Sequence, residues 1–190
     1  GTVGRLQTVK DQATLVRAVA IARGHGEAGA RLRLVIAGDG PQRAEVEAEI
    51  LAVLDGEPNL TARMATVASM LADAFDHFFW TGFYVVDTDK ADELVVGPYQ
   101  GTLGCLRIAF GRGVCGAAAA TRQTQIVEDV HAFPGHIACD SRSASEIVVP
   151  VFDASGALMA VFDVDAVYKN AFDADDATAL ERLMAKVFAA

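Results

Sequence analysis

Three cysteines lie in one short stretch of this chain, and its 190 residues contain no others. Cys105, Cys115 and Cys139 form no C-x-x-C pair, so their spacing fits neither a zinc ribbon nor a thioredoxin-type redox motif. Three thiols cannot all pair within one chain, so one of them is left as a reactive, resolving or buried group. The pattern indicates thiol redox chemistry rather than a structural disulfide framework.

The overall composition restricts the partners that the chain can have. Hydrophobic residues make up 52% of the sequence, so a sizeable core can be buried. The formal net charge of −9 repels nucleic acid and anionic membrane surfaces, so we expect neither as a partner. No apolar run reaches the roughly 18 residues that span a bilayer. Few cysteines and no basic-then-apolar leader favour the reducing cytoplasm, although the chain begins at Gly1 rather than Met.

Residues 1–46 have the sequence character of a parallel α/β unit. A strand end at 3–6 precedes a helix over 11–23, an apolar strand over 32–37 and a helix from Gln42 onward. This order predicts a βαβα fragment. Such a fragment cannot bury both faces of its sheet alone, so we expect it to be covered by the second piece or by another chain.

This N-terminal fragment resembles the start of the nucleotide-sugar-binding domain of retaining, GT-B type glycosyltransferases. The likeness is carried by residues 3–6, 10–11 and 34–41. In that family the residues that match Arg5 and Lys10 contact the donor diphosphate. The acidic motif that should follow is absent here, as is the rest of the domain. A glycine-rich turn alone is weak evidence for phosphate binding, so the resemblance favours a fragment that serves as packing.

From about residue 47 to the C-terminus, strands dominate the middle of the sequence and helices its two ends. Asn59 and Asp173 are placed to cap two of the helices. This arrangement predicts an α+β domain whose sheet is covered by helices on one or both sides. The predicted elements are helices over 45–54 and 60–75, strands over 79–86, 93–99 and 106–110, an Ala-rich helix over 113–122, strands over 125–129, 145–152 and 158–165, and a helix after Asp173.

Seven ordered motifs in this second piece resemble the free methionine-(R)-sulfoxide reductase family, which has a GAF-type fold. The likeness covers residues 47–190, a region that includes all three cysteines. It implies a GAF-like antiparallel sheet flanked by helices. The motifs are W-T-G-F-Y at 80–84, G-P-Y-Q-G at 97–101, G-R-G-V-C-G at 111–116, E-D-V-H at 128–131, G-H-I-A-C-D at 135–140, S-E-I-V-V-P at 145–150 and D-V-D at 163–165.

The residue types fit the reaction that this resemblance implies. A thiolate attacks the sulfoxide sulfur while the oxygen gains a proton, and a second thiol resolves the resulting sulfenic acid into a disulfide. The resemblance implies that Cys139 attacks, that Cys105 resolves, and that Glu146 supplies a hydrogen bond or proton to the oxygen. Glu146 needs a pKa raised by burial for that task. Thioredoxin is the implied reductant, and no metal or organic cofactor is expected.

The same resemblance implies a closed pocket for a free amino acid. Asp163 and Asp165, together with Glu146, would hold the substrate ammonium, while Trp80 and Tyr84 would wall the S-methyl end. The sequence supports part of this independently. Asp163 and Asp165 alternate with an apolar residue, so both point to one face of a strand, where two carboxylates repel each other unless they meet a cation.

One local argument points to a different nucleophile. Cys115 falls at the start of the Ala-rich helix, where the helix dipole lowers the pKa of a thiol. By that criterion Cys115 is the better thiolate, and its share of the work with Cys105 stays open. His136 and Arg142 lie near Cys139 in sequence, which supports Cys139. A metal site at His131, His136 and Cys139 lacks a fourth ligand, so local hydrogen bonding of both histidines is favoured.

Three functional hypotheses follow, for an N-terminal fragment of residues 1–46 and a domain of residues 47–190. The first is a thioredoxin-dependent reductase of free L-methionine-(R)-sulfoxide. The second is a non-catalytic GAF module that senses a small ligand or redox state. The third is a glycosyltransferase remnant that binds a nucleotide sugar. A homodimer is left open.

Overall fold

The computed structural model describes residues 42–137 and 140–189. The chain divides between Glu45 and Val46, and the residues from Val46 onward form one compact unit. The predicted strands and first helix of the βαβα fragment, together with Arg5 and Lys10, lie outside the described residues. The fragment and the exact domain boundary therefore stay predictions.

Four α-helices occur in the described part, and the caps predicted for two of them are confirmed. The Asn59 side chain accepts a hydrogen bond of 3.0 Å from the Ala62 amide, while Asp173 and Asp176 form a reciprocal capping box. None of these helices is long and apolar enough to cross a membrane. The helices are α1 (Gln42–Val53), α2 (Leu60–Ala74), α3 (Gly113–Thr121) and α4 (Ala174–Phe188).

Six strands form one sheet in the order β3-β2-β1-β6-β5-β4. Every neighbouring pair is antiparallel. The predicted α+β class is therefore confirmed. The last two strands form an antiparallel hairpin through the turn at Asp153. The strands are β1 (Trp80–Val86), β2 (Glu93–Gln100), β3 (Arg107–Ala109), β4 (Gln125–Val127), β5 (Ser145–Phe152) and β6 (Leu158–Ala166).

Leu60, the first residue of α2, is 47% exposed, and the buried face of that helix begins at Met64. The two short strands are shorter than predicted. Both β3 and β4 pair with only one neighbour at the sheet edges, so their ends lack a second ladder to extend them.

The alternation of side chains along β5 and β6 divides the core into two clusters. Phe83, Val149 and Phe162 lie in the cluster that packs against helices on one face of the sheet. Val148 and Val161 belong to the other cluster, which includes buried residues of α3. The second face is only partly filled by apolar residues, and its remaining space forms a pocket.

Candidate active site

Strand register brings the predicted acidic residues together. Asp165 of β6 is the direct cross-strand partner of Glu146 on β5 and of Trp80 on β1. Asp163, two residues earlier, is opposite Gly82 on β1. Because side chains alternate along a strand, these acids and Trp80 all face the same side of the sheet.

These residues line a pocket of about 520 Å³, a volume that includes its open mouth. The size suits a small molecule rather than a folded polypeptide segment. Sheet residues form its floor, and the N-terminal end of α3 and two loops form its sides. The lining consists of Trp80, Tyr84, Leu103, Gly104, Ile108, Arg112, Gly113, Val114, Cys115, His136, Ile137, Asp140, Ser143, Glu146, Asp163 and Asp165.

Stacked aromatic rings form one wall of the pocket. The ring centroids of Trp80 and Tyr84 are 5.5 Å apart with an interplanar angle of 19°, and Tyr99 stacks on the other side of Trp80 at 5.1 Å. Gly104 lies close against this wall, since a Cβ atom there would approach the Tyr84 hydroxyl to 2.9 Å. Burial, followed by the charge of Asp163, raises the pKa of Tyr84, so it stays a phenol.

Glu146 and Asp163 are 6% and 5% exposed, which makes them the core of an unusually buried acidic group. Burial raises the pKa of both carboxyls well above their ordinary values, and neighbouring carboxylates, Asp165 included, raise them further. Burial also raises the pKa of Asp165 to about 6, against a hydrogen bond from Ser143 that lowers it. Asp163 Oδ1 is buried and has no hydrogen-bond partner among the described residues.

The local argument that a helix dipole lowers the pKa of Cys115 does not hold. Cys115 does lie in the first turn of α3, but it is 4% exposed. Burial raises the pKa of its thiol well above the ordinary value, and the charges of Asp163 and Glu146 raise it further. Its Sγ is 3.8 Å from Glu146 Oε1, to which it donates a hydrogen bond. These effects outweigh the helix dipole, which falls off within the first turn.

The structure describes two of the three cysteines. Cys105 is half-buried and disulfide-bonded, and Cys115 carries a free thiol. Cys139 lies outside the described residues. Its pairing with Cys105 therefore stays a prediction, as does its role as the attacking thiol.

Sequence reasoning missed a hydrogen-bonded link between two loops at the pocket. The Trp80 indole Nε1 donates to the Thr102 carbonyl at 3.0 Å, and the Thr102 hydroxyl donates to Asp140 Oδ2 at 2.9 Å. Arg142 donates to both oxygens of Asp140, and its guanidinium lies 4.6 Å from the centroid of the Phe79 ring. The sequence places Asp140 beside Arg142 but gives no signal that Thr102 is the third member.

Both histidines form the expected local hydrogen bonds through their backbone amides, His131 to Asp129 Oδ1 and His136 to the Phe133 carbonyl, each at 3.1 Å. The His136 side chain also lines the pocket, and its buried Nε2 has no hydrogen-bond partner in the part of the chain that is described. Burial, followed by the nearby His131, lowers the pKa of His136, so it is neutral at pH 7. The ring centroids of the two histidines are 6.4 Å apart.

The pocket can therefore receive a small cation against buried acids and an apolar group against the aromatic wall. Among the described residues, the side chains that could hold a metal ion are Cys115, Glu146 and Asp163, whose ligand atoms lie within 4.8 Å of one another. This set differs from the His131, His136 and Cys139 set considered from the sequence. A protonated carboxyl such as that of Glu146 can also donate a hydrogen bond to an oxygen of the ligand.

Known proteins are similar to this chain in both sequence and fold. The GAF domain family matches residues 59–190. The free methionine-R-sulfoxide reductase of Saccharomyces cerevisiae is 41% identical over 133 residues, which cover 68% of this chain and 74% of that relative. The Escherichia coli protein of the same name is 39% identical over 144 residues, which cover 76% of this chain and 85% of that relative.

A solved structure gives the same result. The X-ray structure of free methionine-R-sulfoxide reductase from Neisseria meningitidis, in complex with its substrate, matches with a TM-score of 0.74 and 44% identity, covering 82% of this chain and 92% of that one. None of these three relatives is a glycosyltransferase, so the resemblance predicted for residues 1–46 gains no support from them. The fold, the ordered motifs and this level of identity over most of each relative establish that the chain belongs to the GAF-domain family of free methionine-R-sulfoxide reductases.

Proposed function

We propose that this protein reduces free L-methionine-(R)-sulfoxide to L-methionine. The observation that carries the proposal is the pocket itself, in which two buried carboxyls and the partly buried Asp165 share a pocket with a stacked aromatic wall. A zwitterionic amino acid with an apolar S-methyl end matches both features. The names of the relatives from yeast and Escherichia coli support the same reaction.

The acidic group provides the site for the substrate's α-ammonium. Burying Glu146, Asp163 and Asp165 without a cation is costly, as their raised pKa values indicate. An ammonium group supplies the missing positive charge and three donors, one of which can reach the unpartnered Asp163 Oδ1. A peptide-bound methionine sulfoxide lacks this ammonium, so the site favours the free amino acid.

The aromatic wall and Glu146 complete the binding of the sulfoxide group. Trp80 and Tyr84 offer a flat apolar surface to the S-methyl end. Burial raises the pKa of Glu146 well above its ordinary value, which favours the protonated carboxyl. It therefore serves as the donor to the sulfoxide oxygen, whose negative charge grows as the sulfur–oxygen bond breaks.

The chemical step uses the cysteines. The Cys139 thiolate attacks the sulfoxide sulfur, the oxygen is protonated, and methionine leaves as Cys139 becomes a sulfenic acid. The Cys105 thiol then attacks that sulfenic acid, releasing water and forming the Cys105–Cys139 disulfide. This division is supported by the disulfide-bonded state of Cys105, by the free thiol of Cys115 and by the raised pKa of Cys115.

A dithiol protein of the thioredoxin class then reduces the disulfide by thiol exchange. We place the protein in the reducing cytoplasm, where such a reductant is maintained. A homodimer remains part of the proposal for analytical ultracentrifugation to test.

The decisive experiment is a turnover assay on both sulfoxide epimers, each as the free amino acid and within a peptide, with dithiothreitol and with thioredoxin as reductant. We expect methionine from the free (R) epimer only. If no substrate yields methionine while the free sulfoxide binds in a calorimetric titration, the sensor hypothesis replaces this proposal.

A further inference from the structure

A thiol lies beside two carboxyls at the floor of the pocket, and the proposed reductase reaction uses the carboxyls but not the thiol. The ligand atoms of Cys115, Glu146 and Asp163 lie within 4.8 Å of one another, and all three residues are buried. Cys115 Sγ is 3.8 Å from Glu146 Oε1. In the reaction proposed above, the thiol work belongs to Cys139 and Cys105, so the free thiol of Cys115 has no assigned task.

The distances suit a shared metal ion. Zinc binds sulfur at about 2.3 Å and carboxylate oxygen at about 2.0–2.2 Å, so two ligands on one tetrahedral ion are about 3.3–3.8 Å apart. The Cys115–Glu146 pair already has this separation. Small side-chain rotations would bring Asp163 to the same distance, because no pair of ligand atoms in the cluster is farther apart than 4.8 Å.

A second observation points to a cation at this place. Asp163 is 5% exposed, yet its Oδ1 has no hydrogen-bond partner in the described part of the chain. A buried carboxyl oxygen without a donor is rare and costly. Of the basic side chains between residues 42 and 189 that the structure describes, Arg112 and His136 line the pocket, and Arg112 is exposed. The acid that does have a basic partner is Asp140, which binds Arg142.

We propose that Cys115, Glu146 and Asp163 form a binding site for a thiophilic divalent cation of the zinc class, which excludes the amino-acid substrate while it is bound. The sulfur ligand selects zinc-like ions over magnesium and calcium, which prefer oxygen ligands alone. On binding, the cation forms bonds to the Cys115 sulfur and to the carboxylate oxygens of Glu146 and Asp163, and the thiol proton and any protons on the two carboxyls leave to solvent. Water or another pocket group fills the fourth position, as in open zinc sites.

The proposal gives the cluster a regulatory consequence that rests on the proposed function. The cation and the substrate ammonium require the same two carboxylates, so they cannot bind together. An excess of free zinc would therefore hold the protein inactive until a chelator removes the metal. The metal site itself does not depend on the reductase activity and can be tested without it.

The test uses the full chain with both other cysteines replaced, Cys105→Ser/Cys139→Ser, so that Cys115 is the remaining thiol. The probe is Co²⁺, which gives a near-ultraviolet charge-transfer band only when a thiolate binds it. We expect a band that saturates at one Co²⁺ per chain and is displaced by Zn²⁺. Adding Cys115→Ser should abolish the band, with circular dichroism confirming that the variant is folded.

The carboxyl ligands are tested in the same background. Glu146→Gln and Asp163→Asn should each weaken Co²⁺ binding at least about tenfold, since each removes a charged ligand. The matched control is Asp89→Asn, which removes an equal charge from an exposed acid outside the pocket. Co²⁺ affinity that is unchanged in Glu146→Gln and Asp163→Asn, or a folded parent variant without a band, would overturn the site.

A competition titration separates this proposal from the proposed function. Free methionine sulfoxide should raise the apparent Kd for Co²⁺ in proportion to its concentration. If the variants at Cys115, Glu146 and Asp163 lose Co²⁺ binding as predicted but the sulfoxide does not compete, the metal site is supported. The same result would refute both the exclusion of the substrate by the metal and the placement of the substrate ammonium at these carboxyls.

Discussion

Glu146 and Asp165 are direct cross-strand partners, and their carboxyls line the same pocket. Opposed like charges destabilise a sheet, and burial raises the pKa of both carboxyls, so a bound cation favours the loss of their protons. The protonation state of the pocket is therefore coupled to its occupancy.

Substrate affinity should rise with pH. The pKa of Asp165 in the free protein is about 6, so below pH 6 it is neutral and above pH 6 it attracts the substrate ammonium. We expect the Kd for free methionine sulfoxide to fall between pH 5 and pH 7, by up to about tenfold per pH unit below the pKa. Calorimetry on Cys139→Ser excludes any effect of thiolate chemistry. Asp165→Asn should flatten the profile, and an equally steep profile in that variant would contradict the assignment.

Removing the Asp165 charge should stabilise the free protein. The pKa of Asp165 is raised from 3.8 to about 6 on folding, so the folded state binds more protons and loses stability as pH rises across that window. The shift of about two units corresponds to at most about 3 kcal/mol at pH 7. Asp165→Asn should therefore unfold at higher urea concentration at pH 7 but not at pH 4, whereas Asp89→Asn should match wild type at both.

Blocking the substrate amine should reduce turnover strongly. N-acetylation removes the cation that the carboxyls of Asp163 and Asp165 require. A hydrogen bond to a charged group is worth about 1.5–3 kcal/mol, so we expect kcat/KM to fall about 10- to 100-fold or more. The comparison is made with the free and N-acetylated (R) epimers on wild type and Asp163→Asn. Equal rates for both compounds on wild type would show that the acids do not bind the ammonium.

Cys139→Ser should abolish methionine formation. A serine hydroxyl is a far weaker nucleophile than a thiolate at neutral pH. Cys115→Ser is the matched control and should retain turnover, because the thiol that it removes has a raised pKa. Product is quantified by chromatography with dithiothreitol present. Activity that survives in Cys139→Ser and is lost in Cys115→Ser would transfer the nucleophilic role to Cys115.

Cys105→Ser should permit one round of methionine formation and stop thioredoxin-dependent cycling, since attack and resolution are separate steps. A single-turnover assay on pre-reduced protein should give about one methionine per chain. A peptide map of the oxidised wild type should contain a Cys105–Cys139 link. A map that instead contains Cys115 linked to Cys139 would refute this pairing.

Features governed by local sequence were predictable, and features governed by tertiary burial were not. The Asp163–Asp165 alternation and the Asp173 cap follow from strand and helix periodicity, which act over a few residues. The raised pKa of Cys115 depends on burial beside Asp163 and Glu146, which are distant in sequence. The Thr102–Asp140 hydrogen bond joins residues 38 positions apart, and no periodic pattern reports such a contact.

That hydrogen bond also bears on how the two cysteines would meet after each reduction. Thr102 precedes Cys105 by three positions, and Asp140 directly follows Cys139 in the chain. The hydrogen bond from Thr102 Oγ1 to Asp140 already holds together the two ends of the segment between these residues. The conformational entropy that is lost in closing this segment is therefore not lost a second time when a disulfide between the neighbouring cysteines forms. A single hydroxyl thus raises the effective concentration of one thiol for the other. Thr102→Val should slow disulfide formation more than it slows the first release of methionine.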